Sequence, residues 1–557
     1  MSKYEPFYWL NKESIDFLSK GYLIKGQTPI ERIRFIADTA EKYLNIPGYA
    51  DKFYDYMSRG WFSLASPVWS NYGTNKGLPI SCFGSYPDDN MESILYTQAE
   101  VGMLSKLGGG TSGYFGALRP RGAPITNNGE SSGAVHFLQL MDAVTNVVSQ
   151  GSTRRGYFAG YLPADHPDIL EFLKIGHDGN TIQGIYTGVT ISDEFMSRVL
   201  NQEDTAVEVW LAIINSRKQV GFPYLVFTGN ANNNKPECYS DKPIVASNLC
   251  SEIMLPSNPD ETFVCVLSSM NLLHYDEWKD TDAVEVLTMF LDSVVTEAID
   301  KLNIMQSKTK PEEWFLHRIQ RFLENHRALG LGVLGLSSYY QSIGISFDSQ
   351  KAAKLNYEIF KLIREKAENA SIELGTRYGC VMGTNRRNTT LLAIAPTKSS
   401  SFILGQVSQG IEPLMSNYFI NDTAKAKIVY KNKFLEELLE SKGKNTSDVW
   451  QSILMNDGSV QHLDFLSDDE KAVFKTFAEI DPNFIIEQAS IRQEFIDQGQ
   501  SLNLLIGPSM KPKEIHQLYV KAWKLGIKSL YYQFGISSAQ ELSRSKLLQN
   551  ECSACHA

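Results

Sequence analysis

The chain has no long apolar run and no cluster of basic residues. No segment approaches the roughly 18 consecutive apolar residues of a membrane span, and residues 1–6 lack the charged-then-apolar pattern of an export signal. These absences predict a cytoplasmic protein that contacts no membrane. The formal net charge is -10, and without a basic stretch we do not expect a nucleic-acid partner. A mononucleotide remains compatible, because it needs only a few local cations and backbone amides.

Cysteine is scarce, with 7 residues among 557. In a reducing compartment, disulfides tend to be transient and catalytic rather than structural. The cysteines stand at positions 82, 238, 250, 265, 380, 552 and 555.

The composition is that of a globular protein, with 43% hydrophobic and 21% charged residues. The length suggests three or four domains, although one large α/β barrel with appendages also fits. Residues 7–60 show helical periodicity, whereas residues 67–160 are rich in Gly, Ser and Pro and predict loops between short elements. Strand-like runs alternate with helical patterns, which predicts an α/β fold. The strand-like runs cover 185–191, 263–267 and 390–395, and the helical patterns 282–303, 312–328 and 350–374.

The string Asn248-Leu-Cys250-Ser-Glu252 is the most informative stretch of the chain. It sets a thiol two residues from an amide and two from a carboxylate. Alternation along an extended or loop segment could aim all three side chains at one space. Such a set can abstract, bind and shuttle protons. The alternative is a buried cysteine that only fills space.

Residues 552–556 read Cys-Ser-Ala-Cys-His, which matches a c-type haem attachment string. Haem would require export, and a zinc site would require a second cysteine pair. A dithiol near a chain end is better suited to thiol–disulfide exchange. A flexible stretch from Ile536 to Cys552 would have a root-mean-square reach of roughly 20–24 Å.

Three weaker motifs each leave two interpretations open. Residues 330–335 match GxGxxG, but a helical pattern rather than a strand precedes them, so we expect close helix packing instead of a dinucleotide site. Residues 396–401 (Pro-Thr-Lys-Ser-Ser-Ser) follow an apolar run and could form a phosphate cradle or a helix N-cap. Tyr531 and Tyr532 are packing residues or redox relays.

Together, from about Ser63 to the C-terminus, these motifs resemble the large catalytic subunit of ribonucleotide reductase, most similar to class I. Residues 81–83 and 265–272 resemble the segments that carry the two active-site redox cysteines. Residues 248–252 resemble the finger loop with the thiyl cysteine, and residues 396–401 the substrate phosphate loop. Residues 530–533 resemble the radical-transfer tyrosines, and the terminal CxxC resembles the dithiol of a swinging tail.

The resemblance implies a role for each matching residue. Cys250 would carry a thiyl radical that abstracts the 3' hydrogen, Glu252 would be the general base, and Asn248 would hold the substrate hydroxyls. Cys82 and Cys265 would supply two electrons. The remaining roles are re-reduction by Cys552 and Cys555, radical transfer by Tyr531 and Tyr532, and substrate binding by Ser66, Ser81, Thr397, Lys398, Ser399 and Ser400. Cys238 and Cys380 have no assigned role and are expected to be structural.

The resemblance also implies an allosteric site for nucleoside triphosphate effectors at a subunit interface. Asp89 and Ser93 would hold the effector nucleoside and Arg119 its phosphates. The loop 150–156, with Arg154 and Arg155, would pass the signal to the substrate base.

The implied fold is a ten-stranded α/β barrel of two five-stranded halves around a central finger loop. We expect a helical region at 1–65, the catalytic barrel at 66–535 and a flexible redox tail at 536–557. The N-terminal region looks too short for the ATP-cone common in the family. Lys398 stands where relatives carry Glu or Gly. Its positive charge could strengthen phosphate binding and alter the preference between diphosphates and triphosphates.

The implied partners are a separate radical-generating, metal-containing subunit, thioredoxin or glutaredoxin, and a second copy of the chain; no metal or radical cofactor is expected in the chain itself. The adenosylcobalamin-dependent class shares the cysteines but needs no relay, so the tyrosine pair favours class I. A silent regulatory subunit would have no need to keep five functional cysteines. A simple dithiol oxidoreductase would not need the preceding 530 or so residues.

Overall fold

The N-terminal region is helical, as expected. The structure, a computed structural model, describes residues 5–150, 155–423, 426–507 and 509–535. A capping box between Thr28 and Glu31 starts the second helix, and Asn45, in the left-handed conformation, ends it. Its buried face packs against the third helix and the barrel. These helices are α1 (Lys12–Ser19), α2 (Pro29–Leu44) and α3 (Tyr49–Ser58).

Five parallel strands form the first half of the barrel, hydrogen-bonded in chain order. They are almost wholly buried, as parallel strands covered by helices must be. A short strand, β1 (Phe62–Leu64), precedes them. The five are β2 (Cys82–Ser85), β3 (Gly110–Tyr114), β4 (Tyr157–Pro163), β5 (Tyr186–Ile191) and β6 (Tyr224–Phe227). The helices of this half are α4 (Ser66–Asn71), α5 (Met91–Lys106), α6 (Ala134–Val147), α7 (Ile169–Phe172), α8 (Asp193–Leu200), α9 (Asp204–Val220) and α10 (Thr228–Asn233).

The second half begins with the parallel pair β7 (Phe263–Asn271) and β8 (Leu329–Leu334). Two irregular segments continue it through parallel bridges, Leu331 to Leu392 and Ile394 to Gln500. The remaining strands are β9 (Tyr418–Thr423) and β10 (Ala426–Lys431), which form a separate hairpin, and β11 (Leu504–Ile506), β12 (Ser529–Leu530) and β13 (Gln533–Gly535). The helices are α11 (Tyr275–Trp278), α12 (Ala283–Gln306), α13 (His317–His326), α14 (Leu336–Ser342), α15 (Gln350–Tyr378), α16 (Lys398–Ile403), α17 (Lys433–Ser441), α18 (Ser447–Met455), α19 (Asp468–Val473), α20 (Pro482–Gln493) and α21 (Pro512–Lys524).

Two antiparallel junctions join the halves. β2 pairs with β7 at one side, and β6 pairs with β12 at the other. β11 runs parallel to β13, and the Tyr531 amide donates to the Leu502 carbonyl at 2.8 Å. The sheet thus curls into the barrel of two opposed five-stranded halves that the resemblance implied, and the predicted fold is confirmed.

The structure differs from the sequence expectations at three places. The stretch 67–160 contains the two long helices α5 and α6 rather than mainly loops, and α13 is shorter than the predicted 312–328. Two of the three glycines of the GxGxxG string serve strand packing, not helix packing, because Gly330 and Gly332 lie within β8; the third, Gly335, is the N-cap of α14. A Cβ on Gly330 would come within 3.0 Å of both Cys265 Sγ and Ala393 Cβ.

No helix in the described part of the chain is long and apolar enough to cross a membrane.

Candidate active site

Cys82 and Cys265 occupy directly opposed positions where β2 pairs with β7. In an antiparallel pair, the Cβ atoms of opposed residues lie roughly 4.5–5.5 Å apart. Both residues are buried and neither is in a disulfide. The strand register therefore places two thiols within reach of reversible disulfide formation, although they are far apart in sequence.

A turn, rather than strand alternation, brings Asn248, Cys250 and Glu252 together. The Asn248 Oδ1 accepts hydrogen bonds from the amides of Glu252 (3.1 Å) and Ile253 (3.2 Å). Ser251 takes the left-handed conformation with φ of 60°, which reverses the chain between the thiol and the carboxylate. The three predicted side chains are thereby held on one buried loop inside the barrel.

This loop meets the thiol pair. The Asn248 Nδ2 donates to the Cys82 Sγ at 3.6 Å. Burial raises the pKa of the Cys82 thiol, and the charges of Glu252, Cys250 and Cys265 raise it further. The described structure therefore gathers all three predicted active-site cysteines around one carboxyl group.

Glu252 is fully buried, and that burial raises its pKa to about 7. Hydrogen bonds from Asn248 and Ser501 act in the opposite direction. The Ser501 hydroxyl lies 3.1 Å from the Glu252 Oε2 and 2.6 Å from the Cys250 carbonyl oxygen. A carboxyl group poised near neutral pH can accept and return a proton.

Two residues of this site, Gln498 and Ser501, were missed in the sequence. The Gln498 Nε2 donates to the Cys265 Sγ at 3.2 Å, and its Oε1 accepts from the Met254 amide at 3.1 Å. The sequence contains one signal for them, the polar run from Gln498 to Ser501 between the apolar residues Ile496 and Leu502. A polar run in an apolar setting predicts buried polar groups, and these must find hydrogen-bond partners.

Tyr531 and Tyr532 form a close aromatic pair, with ring centroids 4.3 Å apart and planes at 63°. Both rings also contact Tyr224, at 4.7 and 5.2 Å. Cys250 belongs to the same buried cluster. The structure thus places the predicted relay residues and the predicted thiyl residue in one buried cluster.

The serine-rich segment after residue 395 adjoins the start of the barrel. Thr397 is left-handed at the N-cap of α16, and its hydroxyl accepts from the Gly410 amide at 2.7 Å. The Ser400 hydroxyl contacts the Leu64 carbonyl oxygen at 3.4 Å, two residues before Ser66. The segment leads into α16, but the Thr397 side chain makes no capping hydrogen bond there, and the phosphate cradle stays a prediction. The other substrate-binding candidates are Lys398, half-buried, Ser399, buried, and Ser81, buried with its hydroxyl 3.9 Å from the Cys82 Sγ.

The effector candidates fall into two groups. Arg119 forms an ion pair with Asp89 at 2.8 Å, and the Ser93 hydroxyl accepts from the Asp88 amide at 2.8 Å. Arg155 instead lines a cavity of about 760 Å³ whose wall includes neither Asp89 nor Arg119. Within the described structure, Arg155 is therefore not joined to the other candidates.

Three candidates, Arg154, Cys552 and Cys555, lie outside the described residues. The two cysteines without an assigned role are Cys238, half-buried, and Cys380, exposed. Among the described residues, no cluster of three or more His, Cys, Asp or Glu could hold a metal ion.

Comparisons with known proteins agree with this geometry. The family model "Ribonucleotide reductase, barrel domain" matches residues 80–208, 203–386 and 381–533, and the "Ribonucleotide reductase, all-alpha domain" model matches residues 8–77. The chain is 33% identical to the ribonucleoside-diphosphate reductase large subunit of Invertebrate iridescent virus 3, over 92% of each chain. It is 28% identical to the large subunit of Danio rerio, over 86% of this chain and 69% of that one.

Among solved structures, the chain is similar to the Actinobacillus ureae class Id ribonucleotide reductase alpha subunit. The two share 51% identity with a TM-score of 0.90, and the match covers 97% of this chain and 99% of that one. Family models covering nearly the whole chain, together with the barrel and its buried thiols, lead to one conclusion: the chain belongs to the family of ribonucleotide reductase large subunits, as its sequence motifs predicted.

Proposed function

We propose that this chain is the catalytic subunit of a class I ribonucleotide reductase that converts ribonucleoside diphosphates to 2'-deoxyribonucleotides. The observation that carries the proposal is the convergence of Cys82, Cys265 and Cys250 around Glu252. A hydroxyl on a ribose carbon is a poor leaving group in acid–base chemistry alone. Radical formation at C3' weakens the neighbouring C2'–O bond, and a thiyl at Cys250 can abstract the 3' hydrogen.

The other side chains balance the reaction. Glu252 accepts the 3'-hydroxyl proton, and Asn248 holds the hydroxyls in place. The 2'-hydroxyl leaves as water with a proton from the Cys82–Cys265 dithiol. The second hydrogen of the pair goes to C2', and its remaining electron reduces the 3'-keto group while Glu252 returns its proton to the 3'-oxygen. In total the pair gives up two electrons and two protons and ends as a disulfide. The 3' hydrogen then returns from Cys250 to C3', and the thiyl forms again.

The radical reaches Cys250 through Tyr532 and Tyr531 from a separate metal-containing subunit. The close tyrosine pair, in the same buried cluster as Cys250, supports this class over the adenosylcobalamin-dependent one, in which the thiyl forms directly. The match to a class Id subunit supports the same assignment.

The phosphate group of the substrate is held by the segment Thr397–Ser400, with Ser66 and Ser81 beside the reacting sugar. Lys398 adds a cation to this segment and strengthens its binding of phosphate. The names of the viral and fish relatives support a diphosphate substrate.

Regulation and re-reduction complete the proposal. Nucleoside triphosphate effectors bind around Asp89, Ser93 and Arg119 in a homodimer, and the loop with Arg154 and Arg155 passes their signal to the substrate. Cys552 and Cys555, in a redox tail after the barrel at 66–535, reduce the Cys82–Cys265 disulfide and are in turn reduced by thioredoxin or glutaredoxin. These are cytoplasmic partners, in keeping with the five cysteines that are free among the described residues.

A turnover assay tests the proposal. The full chain, cytidine diphosphate and dithiothreitol are incubated with a class I radical subunit or, separately, with adenosylcobalamin. Deoxycytidine diphosphate that forms only with the radical subunit supports the proposal. Formation only with adenosylcobalamin would move the chain to the other class, and a chain that binds nucleotide but yields no product under either condition would be a regulatory subunit.

A further inference from the structure

The Gln498 amide is aimed at only one of the two redox thiols. Its Nε2 lies 3.2 Å from the Cys265 Sγ, 2.9 Å from the Leu329 carbonyl oxygen and 3.1 Å from the Thr390 hydroxyl. Its Oε1 is held by the Met254 amide. The side chain is fully buried and fixed at both ends of its amide, so it cannot turn away when the charge on Cys265 changes.

The surroundings of the two thiols differ in charge as well as in hydrogen bonding. Burial raises the pKa of both, but the Glu252 carboxylate is the next largest influence on Cys82 and raises its pKa further. For Cys265, the next largest influence is the Gln498 hydrogen bond, which lowers its pKa. An amide donor binds a thiolate more strongly than a thiol. Cys82 also has an amide donor, the Asn248 Nδ2, but at 3.6 Å this contact is longer than the 3.2 Å contact of Gln498 with Cys265. A negative charge is therefore better accommodated on Cys265.

The two thiols also differ in access. Cys265 is 1% exposed and Cys82 is 5% exposed. Next to Cys265, the backbone of β8 comes so close that a Cβ on Gly330 would lie 3.0 Å from the Cys265 Sγ. Gln498 and β8 thus cover Cys265, whereas polar side chains of Ser81 and Asn248 border Cys82.

Building on the proposed function, we propose that Gln498 directs the re-reduction of the Cys82–Cys265 disulfide. The incoming dithiol attacks the Cys82 Sγ as a thiolate, and the bond to Cys265 breaks with its electron pair going to the Cys265 Sγ. Cys265 leaves as a thiolate held by the Gln498 amide and then takes up a proton. The second thiol of the reductant attacks the mixed disulfide and releases Cys82, so that two electrons and two protons pass to the pair. Gln498 is a positioning residue for this step, since leaving ability rises as a thiolate is stabilised.

The test locates the mixed disulfide directly. The full chain carrying Cys250→Ser, Cys552→Ser and Cys555→Ser is oxidised, and its free thiols are blocked with N-ethylmaleimide. Cysteamine, a monothiol, then opens the disulfide. After an acid quench, the released thiol is labelled with heavy N-ethylmaleimide, and early time points are read by peptide mass spectrometry.

We expect cysteamine to attach mainly to Cys82, which leaves the heavy label on Cys265. The ratio of this product to the reverse one should be roughly three- to tenfold, because one hydrogen bond stabilises the charged leaving thiolate of Cys265. Gln498→Met should reduce this preference to near equality. Gln493→Met is the matched control, because it removes a buried amide that supports the same segment without touching Cys265, and it should keep the preference. If Gln498→Met does not fold, Gln498→Glu keeps the acceptor for the Met254 amide but places a carboxylate by Cys265, and it should reverse the preference.

Cysteamine mainly on Cys265, or an unchanged preference in the Gln498 variants, would overturn the inference. A separate measurement isolates the proposed function: the pre-reduced parent chain with radical subunit and no added reductant should form a burst of deoxynucleotide. A burst without the Cys82 preference rejects only the role of Gln498. Failure of the Cys82–Cys265 disulfide to form would reject both.

Discussion

Cys82 and Cys265 face each other across the one antiparallel junction that joins β2 to β7. This junction is one of the two at which the half-barrels meet, and the loop with Asn248 lies against it through the Asn248 contact with Cys82. The proposed redox pair is thus built from one residue of each half. Its spacing depends on strand pairing, which is more rigid than a loop.

Replacement of the central thiol should abolish the reaction while leaving the fold intact. Cys250→Ser keeps the size of the side chain, but its O–H bond is too strong to supply the radical. We expect turnover to fall at least ~1,000-fold, about 4 kcal/mol of added barrier, with nucleotide binding retained. Steady-state assays and equilibrium binding of cytidine diphosphate measure the two effects. Appreciable deoxynucleotide formation would contradict the thiyl assignment.

The raised pKa of Glu252 predicts a pH dependence of stability. Its pKa in the folded protein, about 7, exceeds the ordinary value of 4.5, so folding favours the protonated carboxyl group. The contribution of Glu252 to the free energy of unfolding is therefore fully favourable below pH 4.5 and is lost as the pH rises through 7. At pH 8 the folded protein must bury an ionised carboxylate, and Glu252→Gln removes the free-energy cost of doing so. The substitution should stabilise the protein by about 3 kcal/mol at pH 8, with little effect near pH 4.5. Urea unfolding at both pH values measures the difference.

The same titration should appear in the kinetics of the parent chain. The base needs its carboxylate form, so kcat/KM should fall as the pH drops below about 7. Glu252→Gln should lose activity at every pH. A stability difference that does not change between pH 4.5 and pH 8 would show that Glu252 is not held with a raised pKa.

If the tyrosine pair relays the radical, turnover should depend on the hydroxyl of Tyr532. Tyr532→Phe keeps the ring that packs on Tyr531 but removes the oxidisable O–H, so turnover should fall at least ~1,000-fold while the radical subunit still binds. Tyr224→Phe is the control, because that ring packs against both tyrosines in the same cluster. It should keep most of the activity. Normal turnover by Tyr532→Phe would point to the cobalamin-dependent class instead.

The terminal dithiol predicts a dependence on the reductant. Cys552→Ser with Cys555→Ser should abolish turnover with thioredoxin, while dithiothreitol, a small molecule, should support some activity by reaching Cys82 and Cys265 directly. The measurement is the turnover rate with each reductant. Equal rates of variant and parent with thioredoxin would count against a tail that shuttles electrons.

The effector candidates predict how dATP acts. We expect dATP to change which substrate is reduced, without stopping reduction of all four at high concentration. The effector site that the resemblance implies, around Asp89, Ser93, Arg119 and the loop 150–156, is a specificity site and not an activity switch. Arg119→Ala should weaken this response, since Arg119 holds Asp89 in the structure. A dATP titration with each substrate and saturating radical subunit tests both. Loss of all four activities with a second dATP bound per chain would reveal another site.

Sequence alone determined the chemical parts of this protein. Cysteine, amide and carboxylate at two-residue spacing, paired tyrosines and a CxxC are local patterns, and they can be read from the sequence because the chemistry needs particular atoms. Helical periodicity likewise predicted α2, α12 and α15, whose long amphipathic stretches leave few alternatives. Together these patterns were enough to predict the family and the barrel.

Only the tertiary structure decided how those parts meet. The pairing of Cys82 with Cys265 is a register between distant strands, and no local pattern encodes register across such a separation. The left-handed turn at Ser251, the Gln498 amide on Cys265 and the approach of Gly330 to the same thiol arise from packing. The raised pKa of Glu252 has the same origin, because burial is a property of the folded barrel and not of the residues next to it in the chain.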